Sequence, residues 1–240
     1  KYLLYIYRMK SIVIILFILF VIYYVNEIFK RKSKSYIRFK ILDEIDRNTI
    51  LRMINDEDYE SIKNYIRYNR IINYKIKQIV GPKYEFQDYI YTIEESKIST
   101  CHRDENGQFF NRKQKNPSYT IIFYLEPSEA CLDVINGSHK HNLPVYFTDP
   151  TTTVKCEPGD AILFNSDTIH KGSDNVNTKR VQMKIHHTDD EFTEDYSNYN
   201  KKLKPKSSIW DSLSFLTCRF PIIGDLSKNG RWLYDYELSS

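Results

Sequence analysis

A mainly β fold, an eight-stranded jelly roll preceded by helices and by an apolar N-terminal helix, is predicted by three observations. The first is texture. Between Phe86 and His187 short apolar or alternating runs are broken by Asn106-Gly107, Glu126-Pro127, Asn136-Gly137, Asp149-Pro150 and Pro158-Gly159, which is the turn chemistry that separates strands. About eight strands fit that span, and eight short strands in two facing sheets make a jelly roll whose open mouth can host a metal. The second is the helical character of Ile41 to Gly81, and the third is Ile12 to Val25, a run of fourteen residues without a charge.

The N-terminal run comes first in the chain. Fourteen residues rise only ~21 Å as a helix against a hydrocarbon core of ~30 Å, so a signal-peptide core competes with a spanning anchor. The flank favours the anchor: a cleavage site wants small residues, and the chain supplies Tyr23, Tyr24, Asn26, Glu27, Ile28 and Phe29 instead. Interfacial tyrosines and snorkelling lysines extend the usable length. Basic residues are denser after the run, at Lys30, Arg31, Lys32, Lys34, Arg38 and Lys40, than before it, at Lys1, Arg8 and Lys10. That asymmetry predicts a single-pass protein with its main domain in the cytosol. Residues 1–35 are thus assigned to an anchor and its basic flank.

Residues 36–85 are assigned to a helical support region. Asn48 or Thr49 is a candidate cap before Ile50-Leu51-Arg52-Met53-Ile54, and Asp58 to Ile66 reads as a second helix. Residues 86–188 form the β core. Residues 189–240 form an extension, polar to Ser208 and then carrying Ile209, Trp210, Leu213, Phe215, Leu216, Phe220 and Trp232; it is expected to pack on the core.

Composition bounds the class. A chain of 240 residues with 41% hydrophobic and 28% charged residues builds one folded domain. Its net charge of +4 gives no specific nucleic-acid signal. Abundant Tyr, Lys, Ile and Asn fit an AT-rich coding genome, of a virus or a microbe. Cys101, Cys131, Cys156 and Cys218 show neither CxxC nor zinc-ribbon spacing, so free thiols in a reducing compartment are expected.

Chemistry is concentrated in His102-Arg103-Asp104 and in His170. Residues two apart on a strand point to one side of a sheet, so His102 and Asp104 can reach one metal. His170 closes the segment Gly159 to Gly172, in which a turn launches an apolar strand. Two histidines and one carboxylate hold a divalent iron on one face and leave the opposite face open. Arg180 follows ten positions after His170. Its guanidinium fork pairs bidentately with a carboxylate, such as the distal one of 2-oxoglutarate. Alternation with Gln182 and Lys184 places Arg180 on the polar face of Val181-Met183-Ile185.

These residues, with the strand-like Tyr119 to Leu125 and the segment Leu132 to Lys140 containing Gly137-Ser138-His139-Lys140, resemble the iron(II)- and 2-oxoglutarate-dependent dioxygenases. The phytanoyl-CoA dioxygenase-like branch is the nearest, with prolyl 4-hydroxylase-like enzymes as relatives, over roughly residues 85 to 190. The resemblance implies a double-stranded β-helix, or cupin-like, barrel. It implies Fe(II) on His102, Asp104 and His170, 2-oxoglutarate as cosubstrate with Arg180 on its distal carboxylate, and O2 at the remaining site. The implied reaction hydroxylates a substrate and releases succinate and CO2. The substrate class, lipid, protein or small metabolite, stays open, and the membrane is a second partner through residues 12–25. Two alternatives stand beside this: a membrane-tethered, non-catalytic binding protein on the same barrel, and a cupin-like metal enzyme without 2-oxoglutarate.

Bland readings exist for each residue. An isolated HxD is commonly an inert loop pair, His170 alone a surface histidine, and Arg180 beside Lys179 a solvated charge; their joint order argues otherwise. A kinase reading of His-Arg-Asp fails, because position 109 is Phe where that loop needs Asn and there is no Gly-rich phosphate loop. His139 and His141 form a rival pair in a turn read as surface, and adjacent His186 and His187 would point to opposite faces. Tyr89, Tyr91, Thr120 and Tyr124 could donate hydroxyls to the cosubstrate or simply pack. Arg103 points away from the ligands on a regular strand and receives no catalytic role. Asn136-Gly137-Ser138 is formally a glycosylation acceptor that a cytosolic domain leaves unmodified.

Overall fold

The computed structural model describes residues 2–30, 34–93, 100–104, 115–140, 145–146, 150–173, 178–190 and 208–223, with backbone alone at 2–6, 27–30 and 208–212. His141, Trp232 and the Asn106-Gly107 turn lie outside the described residues, as does most of the alternating run after Ile93.

The chain opens with α1, Tyr2–Lys30, a run free of Gly and Pro. Within it Tyr7–Asn26, 20 residues, is long and apolar enough to cross a bilayer, because 20 residues rise ~30 Å. Its apolar side chains are exposed, Phe17 at 65%, unlike those of a core helix.

Strand β1, Tyr36–Lys40, precedes three helices, α2 (Glu44–Asn55), α3 (Tyr59–Tyr68) and α4 (Arg70–Val80). The α2 cap is Asp43, five residues before the expected Asn48: its carboxylate accepts from the Asp46 N–H at 2.8 Å, and Asp46 reaches back to the Asp43 N–H. This reciprocal box satisfies two otherwise orphaned donors. Asp58 caps α3. Asn69 ends α3 and caps α4, accepting from the Ile71 and Ile72 N–H groups, so the region holds three helices where the sequence reading has two. Each helix buries isoleucines four apart, Ile50 with Ile54, Ile62 with Ile66 and Ile72 with Ile76, which makes one apolar stripe per helix.

The strands β2 (Tyr84–Phe86), β3 (Tyr91–Ile93), β4 (Tyr119–Tyr124), β5 (Ser128–Val134), β6 (Thr152–Cys156), β7 (Asp160–Asn165), β8 (His170–Gly172) and β9 (Arg180–His187) complete the core. They form a six-stranded sheet in the order β1-β7-β4-β9-β2, with β3 also on β9, and a three-stranded sheet β6-β5-β8. Every named ladder is antiparallel. Two sheet strands, β1 and β2, thus arise from the span the sequence reading assigns to helices. Five and three residues beside a basic flank carry too little periodicity to announce a strand, and pairing with β7 and β9 decides them.

Strict alternation sorts the side chains. Ile121, Phe123, Ala161, Leu163, Val181, Met183 and Ile185 face the helical isoleucines. Ile122, Tyr124, Ile162 and Phe164 face Cys131, Leu132, Val134, Val154 and Cys156 of the smaller sheet. The result is mainly β with flanking helices, as expected. Gly159 permits the turn before β7: its φ is +85°, and a Cβ there would lie 2.4 Å from the Leu42 carbonyl oxygen, while its own carbonyl accepts from the Ile41 and Leu42 N–H groups.

The cysteine expectation is corrected. Cys101 and Cys218 form a disulfide, Cα–Cα 4.9 Å, across a sequence separation of 117; Cys131 and Cys156 are free and buried. Motif spacing identifies only local pairs, and this pair is made when helix α5, Ser208–Arg219, returns to the core.

Candidate metal centre and cosubstrate pocket

His102 is not on a regular strand; it forms a single antiparallel bridge to His170. The two residues exchange both backbone hydrogen bonds, at 3.0 and 2.9 Å. Residues directly opposite in an antiparallel pair project to the same side, so the bridge sets the imidazoles together, ring centroids 4.5 Å apart. The Asp104 N–H donates to the Ser166 carbonyl at 2.8 Å, which carries the pairing on to the third residue.

The three side chains converge. Asp104 Oδ1 is 3.7 Å from His102 Nε2 and 3.7 Å from His170 Nε2, and the three ligand atoms lie within 4.8 Å of one another. Cis ligands at ~2.1 Å from one ion are ~3 Å apart, so small movements would bring the set onto a metal. All three residues are buried, at 6, 7 and 4% exposure.

Hydrogen bonding fixes which atoms face inward. His102 Nδ1 lies 2.8 Å from the Thr100 carbonyl and His170 Nδ1 2.9 Å from the Thr168 carbonyl. A carbonyl only accepts, so each Nδ1 carries the proton and each Nε2 presents a lone pair to the centre. The Thr120 hydroxyl donates to Asp104 Oδ2 and lies 3.2 Å from the Ser166 hydroxyl, leaving Oδ1 toward the histidines. Such partners orient metal ligands and tune their basicity.

Arg180, at the start of β9, is 4% exposed. Its Nη1 donates to the Thr178 carbonyl at 3.0 Å, and burial pulls its pKa below the ordinary guanidinium value. One cavity of about 480 Å³, counted with its open mouth, is lined by the three converging residues together with Arg180, Gln182, Tyr89 and Tyr91. Arginine and triad therefore share one space, as the alternation of β9 predicts. Of the four candidate hydroxyl donors, Tyr89 and Tyr91 line the cavity, Thr120 turns to Asp104, and Tyr124 is packed between the sheets.

Sequence reasoning missed the braces. Arg103 is 2% exposed, and its guanidinium donates to the carbonyls of Ser138, at 3.0 Å, and Asp167. The Ser138 hydroxyl accepts from the Ile169 N–H at 2.8 Å. The Gly137-Ser138 turn thus holds both ligand segments. Ser35 holds that turn in place: its hydroxyl accepts from the Gly137 N–H at 2.6 Å and lies 3.2 Å from His139 Nδ1, and its N–H donates to the Asn136 carboxamide. His139 is half-buried instead of exposed. His186 pairs with Glu85 at 3.3 Å, toward the end of β9 opposite Arg180. No sequence signal distinguishes a buried bracing arginine from a solvated one in a polar loop.

Fold and site together give a mainly β protein with two antiparallel sheets that brings two histidines and one carboxylate into a cluster able to hold a metal ion. The phytanoyl-CoA dioxygenase family model matches residues 48–182, more than half of the sequence and a range that contains His102, Asp104, His170 and Arg180, and the chain belongs to that family of 2-oxoglutarate-dependent oxygenases. Solved structures share the fold at low identity. HygX from Streptomyces hygroscopicus, with nickel and 2-oxoglutarate bound, has a TM-score of 0.52 at 9% identity over 68% of this chain and 87% of its own. AviO1 from Streptomyces viridochromogenes Tue57 has 0.51 at 11% over 71% and 97%. EvdMO1 has 0.51 at 10% identity, and this chain covers 49% of its length. No curated protein matches the sequence.

Proposed function

We propose that this chain is an Fe(II)- and 2-oxoglutarate-dependent dioxygenase that hydroxylates a substrate, with His102, Asp104 and His170 as iron ligands and Arg180 on the cosubstrate's distal carboxylate. The observation that carries this is the pair of Nδ1–carbonyl hydrogen bonds. They orient two imidazole lone pairs, and the Thr120 hydroxyl one carboxylate oxygen, into a cavity whose wall holds a buried arginine. This donor set suits a divalent iron with open positions. HygX, on the same fold, binds 2-oxoglutarate.

With iron, 2-oxoglutarate and O2 bound, the chemistry supplied is insertion of one oxygen atom into a substrate C–H bond, the other ending in succinate as CO2 is lost. The protein's own part is positional. Thr100, Thr168 and Thr120 hold the ligands, Arg180 holds the far end of the cosubstrate, and the two sheets exclude water.

The test is succinate release by the purified chain. It should require both Fe(II) and 2-oxoglutarate and disappear in Asp104→Ala with the fold retained. Metal-dependent turnover indifferent to 2-oxoglutarate would favour the cupin-like alternative. Metal binding without turnover on any substrate would favour the non-catalytic one.

We infer also that α1 anchors the protein in a membrane. The denser basic residues after the span support a cytosolic domain. The Cys101–Cys218 disulfide favours the opposite, oxidising side, where such bonds form unaided.

A further inference from the structure

Over its described side chains, residues 213–219, helix α5 is polarised the wrong way round for a helix in water. Its inward side carries Ser214, Thr217 and Cys218, at 5, 0 and 3% exposure, whereas Phe215, Leu216 and Phe220 are 55, 40 and 40% exposed. At 100° per residue, Phe215, Leu216 and Arg219 share one outward face of α5, and Phe220, the residue after its end, continues that face with its N–H donating to the Leu216 carbonyl at 2.8 Å; the Arg219 guanidinium lies 3.8 Å over the Phe215 ring.

We propose that this stripe docks into the phospholipid interface of the membrane that α1 spans, seating the metal centre at the bilayer surface; the proposal rests on the anchor reading above. Continuity with α1 identifies the occupant. Tyr23, in the last turns of the apolar stretch, donates its hydroxyl to the Val145 carbonyl and accepts from the Val145 N–H, at 3.3 and 3.2 Å. The next residue's N–H, of Tyr146, donates to the Arg219 carbonyl at 2.9 Å. The interfacial end of the span and the last turn of α5 are therefore only on the order of 10 Å apart. Ser35 supplies a second tie from just beyond α1 to the Gly137-Ser138 turn. Phenylalanines and a leucine beside a single arginine are the composition of an interfacial helix, the rings entering the acyl boundary and the guanidinium reaching phosphate. A second copy fits less well, since three side chains fall far short of the ~800 Å² per partner of a stable interface.

The contact reaches the chemistry. Cys218 is bonded to Cys101, the residue before His102, and packs in one cluster with Ile169, the residue before His170. A bilayer that fixes α5 fixes the backbone carrying both histidines.

Photo-crosslinking on the full chain in phosphatidylcholine vesicles tests this, with p-benzoyl-phenylalanine replacing Phe215, Phe220, Phe17 in mid-span, or Tyr68, a 71% exposed control on α3. The expected result is a mass gain of one phospholipid at positions 17, 215 and 220 and none at 68. Adducts at 17 without adducts at 215 and 220 overturn docking and leave the anchor standing. Lipid at 215 and 220 but not 17 removes the anchor and with it the proposal as stated, since the membrane would then be met by α5 without α1. Crosslinks from 215 or 220 to residues 224–240 or to a second copy overturn docking in favour of that occupant. Equal lipid labelling at 68 also overturns it, because exposure alone then explains the adduct.

Discussion

Arg180 is the residue whose environment most sharply separates 2-oxoglutarate chemistry from other metal chemistry on this scaffold. It is buried, it lines the cavity of the triad, and it does not belong to the triad. A buried charge-assisted pair contributes ~1.5–3 kcal/mol, so Arg180→Ala should weaken 2-oxoglutarate binding about ten- to hundredfold while Fe(II) binding holds. Lysine should rescue in part, having charge without the planar fork. Separate titrations of metal and cosubstrate make the comparison; unchanged cosubstrate affinity with surviving turnover would leave Arg180 a bystander. Thr120 offers a second measurement. Its hydroxyl restrains Asp104 Oδ2, and valine has nearly its volume without the donor. Thr120→Val should lower Fe(II) affinity by roughly ten- to hundredfold with an unchanged melting curve. Equal affinity would mean the strand geometry alone positions the carboxylate.

At the scale of elements, the site depends on a helix outside the family match. The disulfide joins α5 to the segment bearing His102, and the Cys101 N–H donates to the Thr217 hydroxyl at 2.9 Å. Closing so long a loop restricts the unfolded chain, a contribution of ~2–5 kcal/mol. Reductant, or Cys218→Ser, should therefore lower the melting temperature and weaken Fe(II) binding together. A Cys101→Ser/Cys218→Ser protein should be indifferent to reductant. If reductant changes neither property in the parent protein, the brace is dispensable.

For the whole molecule, the apolar helix α1 and Ser35 just beyond it are hydrogen-bonded to the β core, through Tyr23 to Val145 and through Ser35 to Gly137. On the charge distribution, protease added to sealed vesicles that expose their cytosolic face should digest the domain while the span stays with the membrane. Protection of the domain would assign it to the oxidising side. Asn136 gives a poor reporter of topology, because its carboxamide already accepts from the Ser35 N–H and donates to the Thr152 hydroxyl.

The sequence by itself determined the class of fold, the apolar N-terminal helix and the family. Strand alternation, turn residues and hydrophobic runs are local properties, written in neighbouring letters, and the order of His102, Asp104, His170 and Arg180 along the chain is legible without knowing what brings them together. It left β1 and β2 unread, misplaced the α2 cap, did not name α4 and called Cys101 and Cys218 free. Each of those rests on a partner distant in the chain or on a side chain's choice between competing backbone donors. Tertiary structure alone decided that Arg103 is a buried brace, that the Gly137-Ser138 turn supports both ligand segments, and that α5 faces outward with its phenylalanines. The physical reason is common to all three: a buried polar group is defined by the acceptor it meets, and that acceptor is brought to it by the fold.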